Sequence, residues 1–159
     1  MNWNEGMMGT SDHNDPRGHE SGKRFVLLRH DVGPCFDRTT ESHLDWMFAT
    51  GDALATWSTE LITDLESTFT ITCQKLADHR LIYLDREGDL GGGRGCVQRV
   101  VAGEYLQLTS ALAEVAFKAA LRWQTECGVR SGLLEIVQRR QGEPADSEPN
   151  FELHFTFGR

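Results

Sequence analysis

The chain predicts a mostly-β fold, a barrel or a sandwich, and three observations carry that expectation. Short runs of apolar and β-branched residues recur along it, glycine, proline and aspartate clusters separate them, and several runs alternate at period two. Arg24 to Arg29 reads as a buried strand, because Phe25-Val26-Leu27-Leu28 is continuously apolar. Asp31 to Glu41, with Gly33-Pro34, reads as a loop. His43 to Phe48 is a second strand, and Gly51-Asp52 a hairpin turn into a third, Leu54 to Ser58. Leu61 to Leu65 fits no single element. Thr68 to Cys73 alternates and reads as a strand, and Leu81 to Leu84 is a short apolar run. Gly91 to Gly95 is turn chemistry, followed by the strand Cys96 to Val101; Gly103 marks a turn into another, through Leu106. Ala111 to Trp123 has helical composition, yet Val115, Phe117, Ala119, Leu121 and Trp123 alternate, which favours a strand. Gly132 to Arg140 and Phe151 to Phe157 complete the set, on either side of an acidic loop, Gly142 to Asn150. There is no internal repeat.

At 159 residues the chain fits one domain with a real core. The net charge of −8 argues against a broad basic clamp for nucleic acid. Residues 1–22 carry four acids and one arginine, so the remainder still holds about −5. That first stretch is polar and reads as a disordered tail without a secretory apolar region. No run has the length of a membrane span, so no membrane partner is expected and the expected compartment is cytoplasmic. Cys35, Cys73, Cys96 and Cys127 are scattered with no C-x-x-C pair, which favours reduced structural thiols.

The densest chemistry lies in Arg29-His30-Asp31 and Ser42-His43-Leu44-Asp45-Trp46-Met47. Residues two apart on a strand share a face, so His43 and Asp45 present an imidazole and a carboxylate side by side. His30 ends the neighbouring apolar strand. Two imidazoles and one carboxylate suit Mn²⁺, Fe²⁺ or Zn²⁺ better than Ca²⁺ or Mg²⁺. The plain alternative is three unrelated polar residues on strand faces. A second pair, His79 and Tyr83 in Asp78-His79-Arg80-Leu81-Ile82-Tyr83, is four apart and suits holding a phosphate oxygen or shuttling a proton. The Gly91-Gly92-Gly93-Arg94-Gly95 run lacks the Lys-Ser/Thr of a P-loop and is a turn. Trp46, Trp57 and Trp123 fall within alternating runs and read as core.

Taken in order, these residues resemble the 3′-phosphoesterase domain of bacterial ligase D, the DNA end-joining ligase, and more closely its small stand-alone relatives. Phe25 to Asp31 is similar to the family's apolar strand ending in His-Asp, and His43-Leu44-Asp45-Trp46-Met47 to its His-Tyr-Asp-Phe-Arg. Leu54-Ala55-Thr56-Trp57 resembles its Val-Leu-x-x-Trp, and Asp78 to Tyr83 its Asp-His-Pro-Leu-x-Tyr. Glu87-Gly88 with Gly91-Gly92-Gly93, and Phe151-Glu152-Leu153-His154, follow in the same order. The resemblance spans about Lys23 to Arg159. It implies a compact β-barrel with short flanking helices over 23–159. It implies a divalent metal, Mn²⁺ foremost, on His30, His43 and Asp45. By the same resemblance, His79 would contact the scissile phosphate and Tyr83 would support it. The implied activity removes a 3′-ribonucleoside and then a 3′-phosphate in DNA repair, with DNA 3′ ends and repair proteins as the implied partners.

The departures fall on the phosphate-binding cations. The family's arginine two residues after the motif aspartate is Met47 here. Its lysine after the tryptophan has no counterpart among Ser58, Thr59 and Glu60; Ala77 replaces an acid and Ile71 an arginine. Arg29, Arg80 and Arg94 are the candidate substitutes. The loop between His30 and His43 is longer than in the ligase domain. Loss of charge-assisted donors slows phosphoryl chemistry by orders of magnitude. Two alternatives therefore stand beside the enzyme: a barrel that binds metal or nucleic acid without turnover, and a phosphoesterase for a small molecule, a substrate that an acidic surface hinders less.

Overall fold

The computed structural model describes residues 22–139 and 151–158. The expected tail, apart from Gly22, and the acidic loop lie outside them. Nine strands form one antiparallel sheet: β1 (Lys23–Val32), β2 (His43–Ala49), β3 (Ala53–Thr59), β4 (Phe69–Arg80), β5 (Gly88–Asp89), β6 (Gly95–Gln107), β7 (Val115–Thr125), β8 (Gly128–Gln138) and β9 (Phe151–Gly158). Two meanders, β1 to β4 and β6 to β9, join through β4–β9 and β1–β6. The result is a closed eight-stranded barrel, with β5 paired only to β6. Closure leaves the eight strands without an open edge.

The expectation of short flanking helices is corrected. Among the described residues the helical structure is one 3-10 turn, Leu81–Leu84, and no helix is long and apolar enough to cross a membrane. The period-two pattern of Ala111 to Trp123 outweighs its helical composition, because β7 puts Phe117, Ala119, Leu121 and Trp123 into the core. Gly103 is no turn: β6 runs through it unbroken. A Cβ there would sit 2.1 Å from the Arg122 carbonyl oxygen and 3.0 Å from the Phe25 ring, so close approach, not reversal, requires glycine. The strand expected over Thr68 to Cys73 continues to Arg80, past an irregularity in the β3–β4 ladder beside Ala55.

The barrel interior is filled by side chains from all eight strands. Phe48 stands at its centre, with ring centroids 4.7 Å from Phe117, 5.2 Å from Tyr105, 6.0 Å from Phe25 and 6.1 Å from Trp57. All three tryptophans read as core are buried there, and the Trp46 indole donates to Thr59 Oγ1 at 3.1 Å. Of the four thiols, Cys73 is the buried one; Cys35, Cys96 and Cys127 are exposed. Leu65, in the stretch that fitted no element, is buried against the interior cluster.

A second apolar layer lies on the opposite face of the same strands. Val26, Leu28, Met47, Leu54 and Val97 pack there under Leu84 of the 3-10 turn and Leu90 of the glycine loop. This explains why Phe25 to Leu28 is continuously apolar: its alternate residues feed two different layers. The outer layer is what positions the site.

Candidate metal and phosphate site

On β1 the outer face runs Val26, Leu28, His30; on β2 it runs Met47, Asp45, His43. The β1–β2 register pairs His30 directly with His43. One imidazole from each strand and the carboxylate two residues on thus meet at the end of the outer apolar layer. Their ligand atoms all lie within 4.8 Å of one another, and all three residues are buried. The two imidazole rings are 4.9 Å apart, and Phe36 closes over both at 4.6 Å and 6.0 Å.

The hydrogen bonds assign the tautomers. His43 Nδ1 is 3.0 Å from the Glu41 carbonyl oxygen, which only accepts, so Nδ1 carries the proton and Nε2 the lone pair. His30 Nε2 is 2.9 Å from the Arg94 carbonyl oxygen, so its lone pair is on Nδ1. Burial pushes the His30 imidazolium down, against the pull of that carbonyl, and the ring is neutral at pH 7. Both imidazoles therefore turn one N–H to a backbone carbonyl and keep the other nitrogen as a donor, the arrangement that orients histidine ligands of metals. Asp45 Oδ1 is buried with no hydrogen-bond partner. Neutral imidazoles beside an unsatisfied buried carboxylate oxygen form a donor set that fits a divalent cation of the Mn²⁺, Fe²⁺ or Zn²⁺ type.

The glycine-rich turn has a part in this. Gly95 has φ +98°, and a Cβ on it would sit 2.0 Å from the Asp31 carbonyl oxygen. The turn consequently lies flat against the end of β1, which delivers the Arg94 carbonyl to His30.

A cavity of about 340 Å³ opens from the triad, and its walls include His30, Asp45, His79 and Tyr83. The four residues come from β1, β2, the end of β4 and the 3-10 turn. His79 Nδ1 donates to the Ala77 carbonyl at 2.9 Å, leaving Nε2 as its other polar site. Tyr83 meets the His79 ring edge-on, with centroids 5.5 Å apart. A second cavity, about 260 Å³, lies on the other side of His43 and is walled by Ser58, Thr59, Thr72, Gln74, Glu41 and Glu60 among others. A separate and larger cavity, about 530 Å³, opens beside Leu44, Leu65 and Trp123.

All five residues singled out from the sequence stand around these walls. Of the substitute cations, Arg29 pairs with Asp31 at 2.9 Å, and Arg80 is exposed at the end of β4. Arg94 lines the cavity, but its guanidinium donates to the Leu90 and Gly91 carbonyls. Met47 is buried in the outer apolar layer, and Ile71 packs against the barrel interior. The cation at the triad is Arg38, which sequence reasoning missed. Its Nη2 is 2.7 Å from His43 Nε2 and 3.9 Å from Asp45 Oδ1, and its guanidinium lies over the Phe36 ring. Nothing in the loop sequence Phe36-Asp37-Arg38-Thr39 signals where such a side chain ends up.

No family model matches the chain, and no curated protein matches it.

Proposed function

We infer that this barrel is a metal-dependent phosphoesterase related to the ligase D domain, acting on DNA 3′ ends that carry a 3′-phosphate or a 3′-ribonucleotide. The observation that carries the reading is the donor set: two imidazoles held by backbone carbonyls and an unpartnered buried carboxylate oxygen, all within 4.8 Å. His30, His43 and Asp45 hold the metal, with Mn²⁺ the first choice. A divalent metal there polarises a phosphoryl oxygen and lowers the pKa of a bound water. In hydrolysis of a 3′-phosphate a water oxygen bonds to phosphorus, the P–O3′ bond breaks, and O3′ leaves with a proton as the 3′-hydroxyl. His79 contacts the scissile phosphate, its ring oriented by the Nδ1–H bond to the Ala77 carbonyl and by edge-on packing against Tyr83.

A second reading has its own support. Glu41 and Glu60 border the cavity beside His43, and the whole chain carries −8. Both features oppose a DNA duplex more than a small phosphoester, and equally suit a barrel that binds without turnover. The test is a Mn²⁺-dependent end-healing assay on a primer-template with a 3′-phosphate or one 3′-ribonucleotide. Conversion to a 3′-hydroxyl, lost in His43→Ala, supports the DNA reading. Turnover of a generic phosphoester alone moves the substrate to a small molecule, and no turnover with any metal leaves a binding role.

A further inference from the structure

We propose that Arg38 is the phosphate-binding cation of this site, held on the metal ligands until a metal displaces it. The proposal rests on the metal-site reading above and goes beyond it by assigning a residue that competes with the metal and then serves the substrate.

Arg38 occupies one of the electron pairs a metal needs. The His43 lone pair on Nε2 accepts from Arg38 Nη2 at 2.7 Å, and the nearest cation to the orphaned Asp45 Oδ1 among the described salt bridges is the same Nη2, at 3.9 Å. A guanidinium has no lone pair to share, so it and a divalent cation exclude each other from His43. Metal binding must therefore expel Arg38. The side chain is about 30% exposed and arises from the 33–42 loop, not from a strand, so it has freedom to turn. It lines both cavities that meet at the triad, and either direction keeps the guanidinium beside them.

The other arginine of these walls, Arg94, is tied to two carbonyls, which leaves Arg38 as the cation able to change partners. Freed from His43, it presents a planar fork of N–H donors that matches phosphoryl oxygens bidentately. One side chain thus neutralises the ligand cluster without metal and neutralises the phosphate with it. This makes metal and phosphoester binding cooperative: the metal releases the group that binds the anion.

The test measures two affinities on the full chain, by calorimetry: Mn²⁺ alone, and inorganic phosphate at saturating Mn²⁺. Arg38→Ala should bind Mn²⁺ about tenfold more tightly than the parent, because a charge-assisted competitor on a ligand nitrogen is gone. The same variant should bind phosphate at least about tenfold more weakly once Mn²⁺ is present. Arg38→Gln, which keeps polarity and bulk without the charge, should move both affinities in the same directions. His43→Ala separates the layers of the claim. If it leaves Mn²⁺ affinity unchanged, the metal site itself is misassigned. If it abolishes Mn²⁺ binding while Arg38→Ala binds Mn²⁺ no tighter, or binds phosphate as well as the parent, the role of Arg38 is overturned and the metal site stands. An arginine that merely braces the loop would loosen Mn²⁺ binding when removed, the opposite sign.

Discussion

Asp45→Asn changes one atom and separates a ligand from a structural residue. Asp45 is 4% exposed, one oxygen has no hydrogen-bond partner, and the nearest cationic group is Arg38 at 3.9 Å. Burying a carboxylate costs several kcal/mol after relaxation, and an attraction beyond hydrogen-bond distance offsets this in part. Arg38 can return to water when the charge is removed. The metal-free protein should therefore lose no stability in Asp45→Asn, and should gain up to about 1 kcal/mol. With Mn²⁺ the order reverses. At a Mn²⁺ concentration of 100 times its dissociation constant, the parent gains about 2.7 kcal/mol by mass action. For a chain of this size that raises Tm by roughly 8 °C, at about 3 °C per kcal/mol. Loss of the anionic ligand should weaken binding at least as much as the ~100-fold seen when outer-shell partners are lost. The gain at the same Mn²⁺ concentration then falls to about 0.4 kcal/mol, or roughly 1 °C. Differential scanning calorimetry with and without Mn²⁺ reads both numbers. A metal-free loss above about 1 kcal/mol would make Asp45 a structural residue. A retained Mn²⁺ shift would remove it from the ligand set.

Three further outcomes test the frame that carries the site. Gly132→Ala should destabilise by about 1–3 kcal/mol, read by urea denaturation, because the new Cβ would sit 2.4 Å from the fully buried Phe155 ring. Tyr105→Phe should cost roughly 1 kcal/mol in the same measurement, since the buried hydroxyl donates to the Ala49 carbonyl at 2.7 Å and the carbonyl is left unpaired. Burial pushes the Cys73 thiol up to about 12, so at a pH near 8.5 it carries almost no thiolate. Alkylation of the native protein at that pH should label Cys35, Cys96 and Cys127 and spare Cys73, whereas denaturation exposes all four; rapid native labelling of Cys73, read by peptide mass, would contradict the packing.

The parts legible in the sequence are those governed by period two. The alternation of His43, Asp45 and Met47 against Leu44, Trp46 and Phe48 is enough to place imidazole and carboxylate on one face and the aromatics in the core. The same reasoning recovers β7 despite its alanines. What sequence could not convey is geometry across the chain. Gly103 looks like a turn until Arg122 is seen lying against it. Arg38 looks like a solvated loop residue, and only the path of the 33–42 loop over Phe36 sets it on His43. The flanking helices expected from the resemblance have no hydrophobic pattern of their own behind them, and a 3-10 turn with loop residues covers the outer layer instead.

The proposed function stands or falls with a single metal centre made by His30, His43 and Asp45. Pulsed electron paramagnetic resonance of the Mn²⁺-loaded protein tests it most directly, by counting coordinated imidazole nitrogens. Couplings from two histidine nitrogens are expected, reduced to one in His30→Ala and in His43→Ala alike. Bound Mn²⁺ with no nitrogen coupling, or couplings unchanged in both variants, would contradict it.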